Sequence, residues 1–473
     1  MEKLFGQKLL EEKIITEKQL AEAIERQRLH RGRLGQNLIA LGFITKKDLD
    51  KIFKLSPAAP KTVEETGLEF SAIENLIMKH ILFMGEFKQS DVADNIKLPI
   101  SVVDIVLQTL RREELVEVKG GTGYAAVTYI WKITEQGKKR ATELFDICRY
   151  VGPTPVSLDA YRDMVISQSI MDIELSVEDV KKAFSYLILN KRLLKRIGPA
   201  VSSGKAIFIY GPAGNGKTAI SETIGEMLPD TVNVPYAITV GGQIITVFDP
   251  VNHIRVESED SKNAVDQRWV LTRRPIVMTG GELTLNMLDL DFNTVSKFYE
   301  APLQMKANNG LFIADDFGRQ QIDPRSLLNR WIVPLERRMD FLTLHTGMKF
   351  DIPFDVLVIF STNIEPKELV DEAFLRRIRY KFRIGHPSEE EYEIIFRKVC
   401  KINGIEFRKD AFDYLMTNYY KRTKVKLNAC HPRDIIDHII DNAHFDHCYP
   451  RLDKDGIDLA WENYFVDVNV TDG

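Results

Sequence analysis

The order of apolar and polar positions divides the chain into stretches of different period. The first is a repeat: LFGQKLLEEKIITEKQLAEAIERQ from Leu4 and RLGQNLIALGFITKKDLDKIFKLS from Arg33 align at Gly6/Gly35, Leu9/Leu38, Thr16/Thr45, Leu20/Leu49 and Ile24/Phe53. In each copy the apolar spacing predicts a short helix, a turn and a second helix. The second helix starts at Thr16 with Gln19, or at Thr45 with Asp48, three positions on. Residues 1–55 are therefore expected to form a small all-helical domain with these apolar positions as its core. Residues 56–69, beginning SPAAPKTVEETG, mix proline, alanine and charge without period and read as a linker.

Residues 70–148 change pattern. Helical runs IENLIMKHILFM, KQSDVADNI and ISVVDIVLQTLRREE precede LVEVKGGTGYAAVTYIWKIT, in which two β-rich runs flank KGGTG. Three helices followed by a hairpin is the order of a winged helix, a fold that often sets its third helix in the DNA major groove. Here that helix is mostly apolar, with Arg111 and Arg112 only at its end, and the wing adds little beyond Lys119. A DNA reader needs a denser basic footprint. An interaction or spacer module is the favoured reading, with DNA kept as the alternative.

Beyond YVGPTPVSLDAY, β-runs alternate with helical periods, and chemistry appears. The β-run Ala206 to Tyr210 leads into Gly211-Pro212-Ala213-Gly214-Asn215-Gly216-Lys217-Thr218 and then a helix of small residues. This is the GxxxxGK[ST] phosphate loop in its required context of strand, loop and helix. Glycines let successive N–H groups turn toward phosphates, Lys217 reaches the terminal phosphates, and Thr218 is a Mg²⁺ ligand. About 100 residues on, NGLFIADDFGRQ is an apolar strand ending in Asp315 and Asp316. That is the form of a Walker B segment: Asp315 would hold Mg²⁺ through water, and Asp316 would polarise the attacking water. Aspartate there is one methylene shorter than the usual glutamate, so slow hydrolysis is one expectation. DVLVIFSTN is a further buried strand with Ser361, Thr362 and Asn363 at its polar end.

DEAFLRRIRYKFRI carries Arg376, Arg377 and Arg379 ahead of a last strand, and CHPRDIIDHII begins a helix with Arg433 after Pro432. With the preceding segments, these make residues from about 150 to 473 resemble the AAA+ ATPases in five parts taken in order. The resemblance implies a parallel sheet with a C-terminal helical lid, and a homo-oligomeric ring, commonly a hexamer, with ATP at each interface. It casts Asn363 as sensor 1, Arg376 or Arg377 as the finger acting on a neighbour's nucleotide, and Arg433 as the lid residue closing on ATP. The implied boundaries are 149–385 for the core and 386–473 for the lid. The family leaves the remodelled protein substrate open.

The N-terminal repeat is similar to the N-terminal domain of type II secretion and type IV pilus assembly ATPases, whose motifs of the form RLGxxLxxxGxxxxxxLxxxLxxQ can bind cyclic di-GMP. The resemblance implies Gly6, Gln27, Arg33, Leu34, Gly35 and Gly42 as contacts, and docking to a secretion-like or pilus-like machine. The first copy has Leu4 for Arg and Lys13 for Gly, and the second ends in Ser56 for Gln. Half of a two-part site is therefore weakened, and a degenerate copy kept for protein contact remains the other reading.

Composition narrows the rest. At 473 residues several domains are expected, and 44% hydrophobic with 28% charged residues is ordinary for a soluble protein. No apolar run approaches the roughly 18 residues of a membrane span. The charged, helical start has no signal-peptide core, and the four cysteines include no CxxC pair, so the cytoplasm is the expected compartment. A net charge of −4 gives nucleic acid no default support. Between the phosphate loop and Walker B, VPYAITVGGQIITVFDPVNHIRVES alternates like a hairpin and TGGELTLNMLDLDF reads as a turn entering a helix. Phe248 or Tyr299 could face a ring's pore there, though core positions are the favoured reading. HFDHC, with His444, His447 and Cys448, lacks a second ligand pair and reads as exposed surface before a zinc site. Two alternatives to a motor stay open: an ATP-gated DNA-binding regulator, and a scaffold that binds ATP without hydrolysing it.

Overall fold

The computed structural model describes residues 9–10, 14–30, 34–45, 57–121, 129–173, 175–229, 231–257, 265–369 and 372–465. Its centre is a five-stranded, all-parallel sheet. The strands are β1 (Ile207–Tyr210), β2 (Ile276–Thr279), β3 (Leu311–Ala314), β4 (Leu357–Thr362) and β5 (Tyr380–Arg383), in spatial order β2-β3-β4-β1-β5. Parallel strands are joined by crossovers that cover both faces, which is why β3 and the Leu357–Phe360 part of β4 are apolar without alternation and both strands are buried throughout. The period of two survives in which core each residue joins. Ile207, Ile209, Leu311, Ile313, Leu357 and Ile359 pack with Ile197, Ile220 and Ile224 of the helices Lys191–Ser202 and Lys217–Glu226. Phe208, Phe312, Val358 and Phe360 pack on the other side with Leu327 and Trp331 of the helix Pro324–Arg337.

A second sheet is built from the segments that separate the core strands. Its order is Asp291–Asn293, Phe298–Glu300, Gln243–Thr246, Ala237–Val240 and Val156–Ser157. The expected hairpin is present, since Ala237–Val240 and Gln243–Thr246 pair antiparallel. The segment expected to enter a helix instead makes one short turn, Leu285–Leu288, before the strand Asp291–Asn293. Tyr299 is 1% exposed and belongs to the interior of this insertion, and Phe248 is half-buried against Tyr236 and His253.

Residues 70–147 form helices Phe70–Met84, Gln89–Ile96, Ile100–Arg112 and Glu135–Ile147 around a three-stranded antiparallel sheet of Glu86–Phe87, Tyr129–Ile133 and Val116–Gly121. Their core, centred on Trp131, runs without a break into Ala237, Ile244 and Phe298 of the insertion. Thr66 and Val63, in the stretch expected to be a linker, are buried. Asp266 N–H donates to the Pro57 carbonyl, so this stretch is pinned to the insertion by paired backbone.

In the N-terminal repeat, Leu9 and Leu38, equivalent positions, are fully buried, as are Ile15 and Ile44. Thr16 and Gln19 make the anticipated reciprocal cap, with Gln19 N–H donating to Thr16 Oγ1 and Thr16 N–H to Gln19 Oε1. Ile24, aligned as a core position, is 37% exposed. The C-terminal helices Glu389–Ile402, Lys409–Tyr414, His431–Phe445 and Lys454–Tyr464 close around Tyr392, Phe396, Phe412 and Trp461 as a separate cluster. Among the described residues no helix is long and apolar enough to cross a membrane.

Candidate nucleotide site

Strand order decides which chain segments meet. Because β1 lies beside β4 and β4 beside β3, the loops leaving their carboxyl ends are neighbours, the place where open α/β sheets bind ligands. Gly211, Pro212, Ala213, Gly214, Asn215 and Gly216 leave β1 there. Gly211 N–H is anchored by the Thr362 carbonyl of β4. A Cβ at Gly211 would collide with the Ile384 carbonyl, which fixes glycine at the loop's entry. The loop ends in the left-handed region at Gly216 (φ +81°), from which the helix Lys217–Glu226 starts with its first N–H groups free of helical partners.

The chemical residues converge at this edge. Lys217 Nζ donates to the Pro212 carbonyl at 2.9 Å and to Asn363 Oδ1 at 2.5 Å. Asn363 Nδ2 in turn donates to Asp316 Oδ1 at 3.2 Å. Thr218 Oγ1 donates to Asp315 Oδ2 at 2.7 Å. Burial pushes the Lys217 ammonium below its ordinary range, against the opposing pull of Asp315 and Asp316. Asp316 sits at φ +48°, in the left-handed region, while Phe317 N–H bonds the Ser361 carbonyl. The chain thus turns sharply after β3, which leaves Asp316 exposed above the sheet. Gln320, which the motifs did not single out, donates from Nε2 to the Asp315 carbonyl at 2.8 Å.

The donor set suits Mg²⁺. Thr218 Oγ1 and Asp315 Oδ2 are adjacent hard oxygens, and that ion takes one or two protein oxygens and completes its shell with phosphate and water. Among the described residues no group of three or more His, Cys, Asp or Glu side chains is placed to hold a metal, and His444, His447 and Cys448 make none.

The C-terminal helices rest directly on the phosphate loop. Cys430 N–H donates to the Gly214 carbonyl at 2.9 Å, and Ala429 N–H to Asn215 Oδ1 at 3.1 Å. Asn215 Nδ2 donates to Asn428 Oδ1 at 3.3 Å, and His386 Nδ1 lies 2.8 Å from the same oxygen. Arg433, on the first turn of the helix His431–Phe445, has a side chain 70% exposed, with Asp434 3.6 Å away. The motifs gave Arg433 but not Asn428, whose only local signal is a polar NAC just before a Pro-marked helix start.

The arginines lie elsewhere. Tyr380 pairs with Ile207, so Arg376, Arg377 and Arg379 stand beside the start of β1, and the phosphate loop leaves its other end. Four residues of strand put roughly 13 Å between the two edges. Arg377 Nε pairs with Glu336 at 2.5 Å. Lys205, at the same edge, is pushed down by burial and by the like charges of Arg338 and Arg379. Of the residues proposed for cyclic di-GMP, Gly6 and Arg33 lie outside the described residues, as does the Gln27 side chain. Leu34 and Gly35 are buried, and Gly42 turns the chain at φ +73°.

A family model described as a domain of unknown function, DUF8689, matches residues 388–463, the helices that rest on the loop. No curated protein matches the chain. Among solved structures, NtrX from Brucella abortus in complex with ADP is 14% identical, with 59% of this chain and 56% of that one aligned at a TM-score of 0.36. The alignment thus spans little over half of NtrX. The Thermotoga maritima RuvB Holliday junction branch migration motor is 13% identical over 62% of this chain and 73% of its own, at a TM-score of 0.32. Likenesses of that depth decide nothing. The chain's own geometry does: a phosphate loop between the first strand of a parallel sheet and its helix is the core of a P-loop NTPase.

Proposed function

We propose that the protein is an AAA+-type ATPase that binds Mg-ATP at Gly211–Thr218 and hydrolyses it where subunits of a ring, a hexamer by family likeness, meet. One observation carries the reading. Lys217, Thr218, Asp315, Asp316 and Asn363 share one edge of the sheet, and the arginines that would complete the charge stabilisation occupy the opposite edge. No single chain brings the two together, so a complete site needs a second copy.

In this reading the loop N–H groups and Lys217 would hold the phosphates, and Thr218 and Asp315 would hold Mg²⁺, which when bound would supply positive charge to the phosphate oxygens. Asp316 orients the water, and Asn363, released from Lys217, contacts the terminal phosphate or that water. Arg376 or Arg377 of the neighbouring subunit stabilises the transition state. Because Asn428, Ala429 and Cys430 touch the loop itself, filling the loop moves the lid and transmits the nucleotide state to a bound macromolecular partner. Arg433 would close on the phosphates from the lid.

Turnover by the full-length protein across a concentration series tests this. It should rise more than linearly with protein and vanish in Lys217→Ala, while Arg376→Ala and Arg377→Ala separate the two finger candidates. Nucleotide binding without turnover at every concentration would sink the motor. The scaffold reading, favoured by the short and constrained Asp316, would then stand. The same reading includes cyclic di-GMP as a ligand of the N-terminal repeat, and titration calorimetry on the full chain with that dinucleotide tests it.

A further inference from the structure

The helix Lys191–Ser202 carries Lys191, Arg192, Lys195 and Arg196 on its exposed side, with no acidic residue in its first turn. Cations at a helix N-terminus oppose the macrodipole, and like charges four apart (Lys191 with Lys195, Arg192 with Arg196) repel each other. The helix does not need them. It is capped by Asn190 Oδ1, which accepts from Leu193 N–H, and held by Leu193, Ile197 and Val201 in the core. Only Arg196 has a clear structural role, because it donates to the Lys381 carbonyl and lies over the Phe382 ring, which fastens the helix to the edge strand β5. Among the described residues Lys191, Arg192 and Lys195 pair with no carboxylate, in a protein whose net charge is −4. Lys205 and Arg379 lie past the C-terminal end of this helix, at the start of β1, and are not part of the cluster.

A cluster that weakens its own helix and that local carboxylates do not neutralise is complementary to a regular polyanion. The geometry points to this face as a docking surface for the phosphate backbone of nucleic acid, sequence-independent and separate from residues 70–147. The latter is a poorer candidate: Lys119 is paired with Glu86 at 2.5 Å, and Asp104 stands on the third helix. The contact is electrostatic and does not depend on ATP turnover, so its test is made without nucleotide.

Fluorescence anisotropy of a short labelled duplex, titrated with full-length protein at several salt concentrations, reads it directly. About four phosphate contacts give an affinity that falls about 10²-fold between about 50 and 200 mM salt. The triple variant Lys191→Glu, Arg192→Glu, Lys195→Glu should lose at least about tenfold at low salt. It leaves Arg196 in place and puts acid where the helix dipole favours it, so the fold is kept, as circular dichroism and turnover at matched concentration would verify. Equal retention by the triple variant overturns the proposal, as does loss caused by Arg111→Glu with Arg112→Glu instead. No retention of duplex at low salt overturns it too. So does a triple variant that changes assembly mass while binding duplex normally, which would mark a protein interface.

Discussion

Two junctions flank the phosphate-loop core, and they are built in opposite ways. The insertion joins residues 57–157 through a shared strand, since Val156–Ser157 adds itself beside Ala237–Val240, and through an apolar core that includes Trp131, Tyr150, Ala237 and Phe298. At its centre Arg268 is buried with Asp266, its Nη1 donating to the Thr66 carbonyl at 2.8 Å. The C-terminal helices instead meet the core at the phosphate loop through hydrogen bonds of Gly214 and Asn215 to residues 428–430, beside exposed Arg433. Apolar burial and a desolvated ion pair resist partial opening, whereas neutral hydrogen bonds contribute only about 1 kcal/mol each. On these contacts the first junction is expected to be the stiffer joint and the second the easier one to open.

The strongest way to break this contrast is Arg268→Ala. It leaves Asp266 charged and buried, a loss on the order of 3–5 kcal/mol, and differential scanning calorimetry should show the transition of the N-terminal half collapsing. A mild effect would mean that the joint is not held from its centre. Next, Lys217→Ala should cut ATP turnover by about 10²-fold or more, given the weight of preorganised phosphate donors. Its melting temperature should barely change, because among the described residues the side chain bonds Pro212 and Asn363 alone.

An acid titration separates the two junctions. Burial holds His431 down at about 4 from an ordinary 6.5, between Tyr420 and Phe465. The unfolded lid takes up a proton below about 6.5 that the folded lid refuses. Lid stability is therefore full above that pH and is lost as pH falls toward about 4. Hydrogen exchange should show helices 431–464 opening first, and His431→Gln should flatten the profile. The smallest effect is expected from Asn428→Ala, a change of about 1 kcal/mol or less in lid stability. It should still shift nucleotide affinity several-fold, and titration calorimetry with ATP measures that. No shift would uncouple lid from loop.

Much of the site was legible in the chain because its parts are local. A phosphate loop is one strand, one turn and one helix start, so Gly211 to Thr218 identify themselves, and Asp315 and Asp316 stand at the end of an unbroken apolar strand. The caps at Thr16 and Gln19 and the paired core positions Leu9 and Leu38 were readable for the same reason. Residues 57–66 read as a linker, and proline and charge without period describe a tied-down crossing segment as well as a free one. For Tyr299 both pore and core were open, with core favoured, because an aromatic in an insertion carries no local sign of which way it faces.

What sequence alone determined are elements and chemical groups, set by backbone propensity and side-chain type over a few neighbouring residues. The tertiary structure decided adjacency. It put β4 between β1 and β3 so that Asn363 bridges Lys217 and Asp316, and it set the arginines at the far edge of the sheet. It also laid Asn428 on Asn215 and drew Val156 and Ser157 into a distant sheet. Those contacts join residues from tens to more than two hundred positions apart. Strand pairing and core packing select them by the energy of the whole assembly, which no short window of sequence contains.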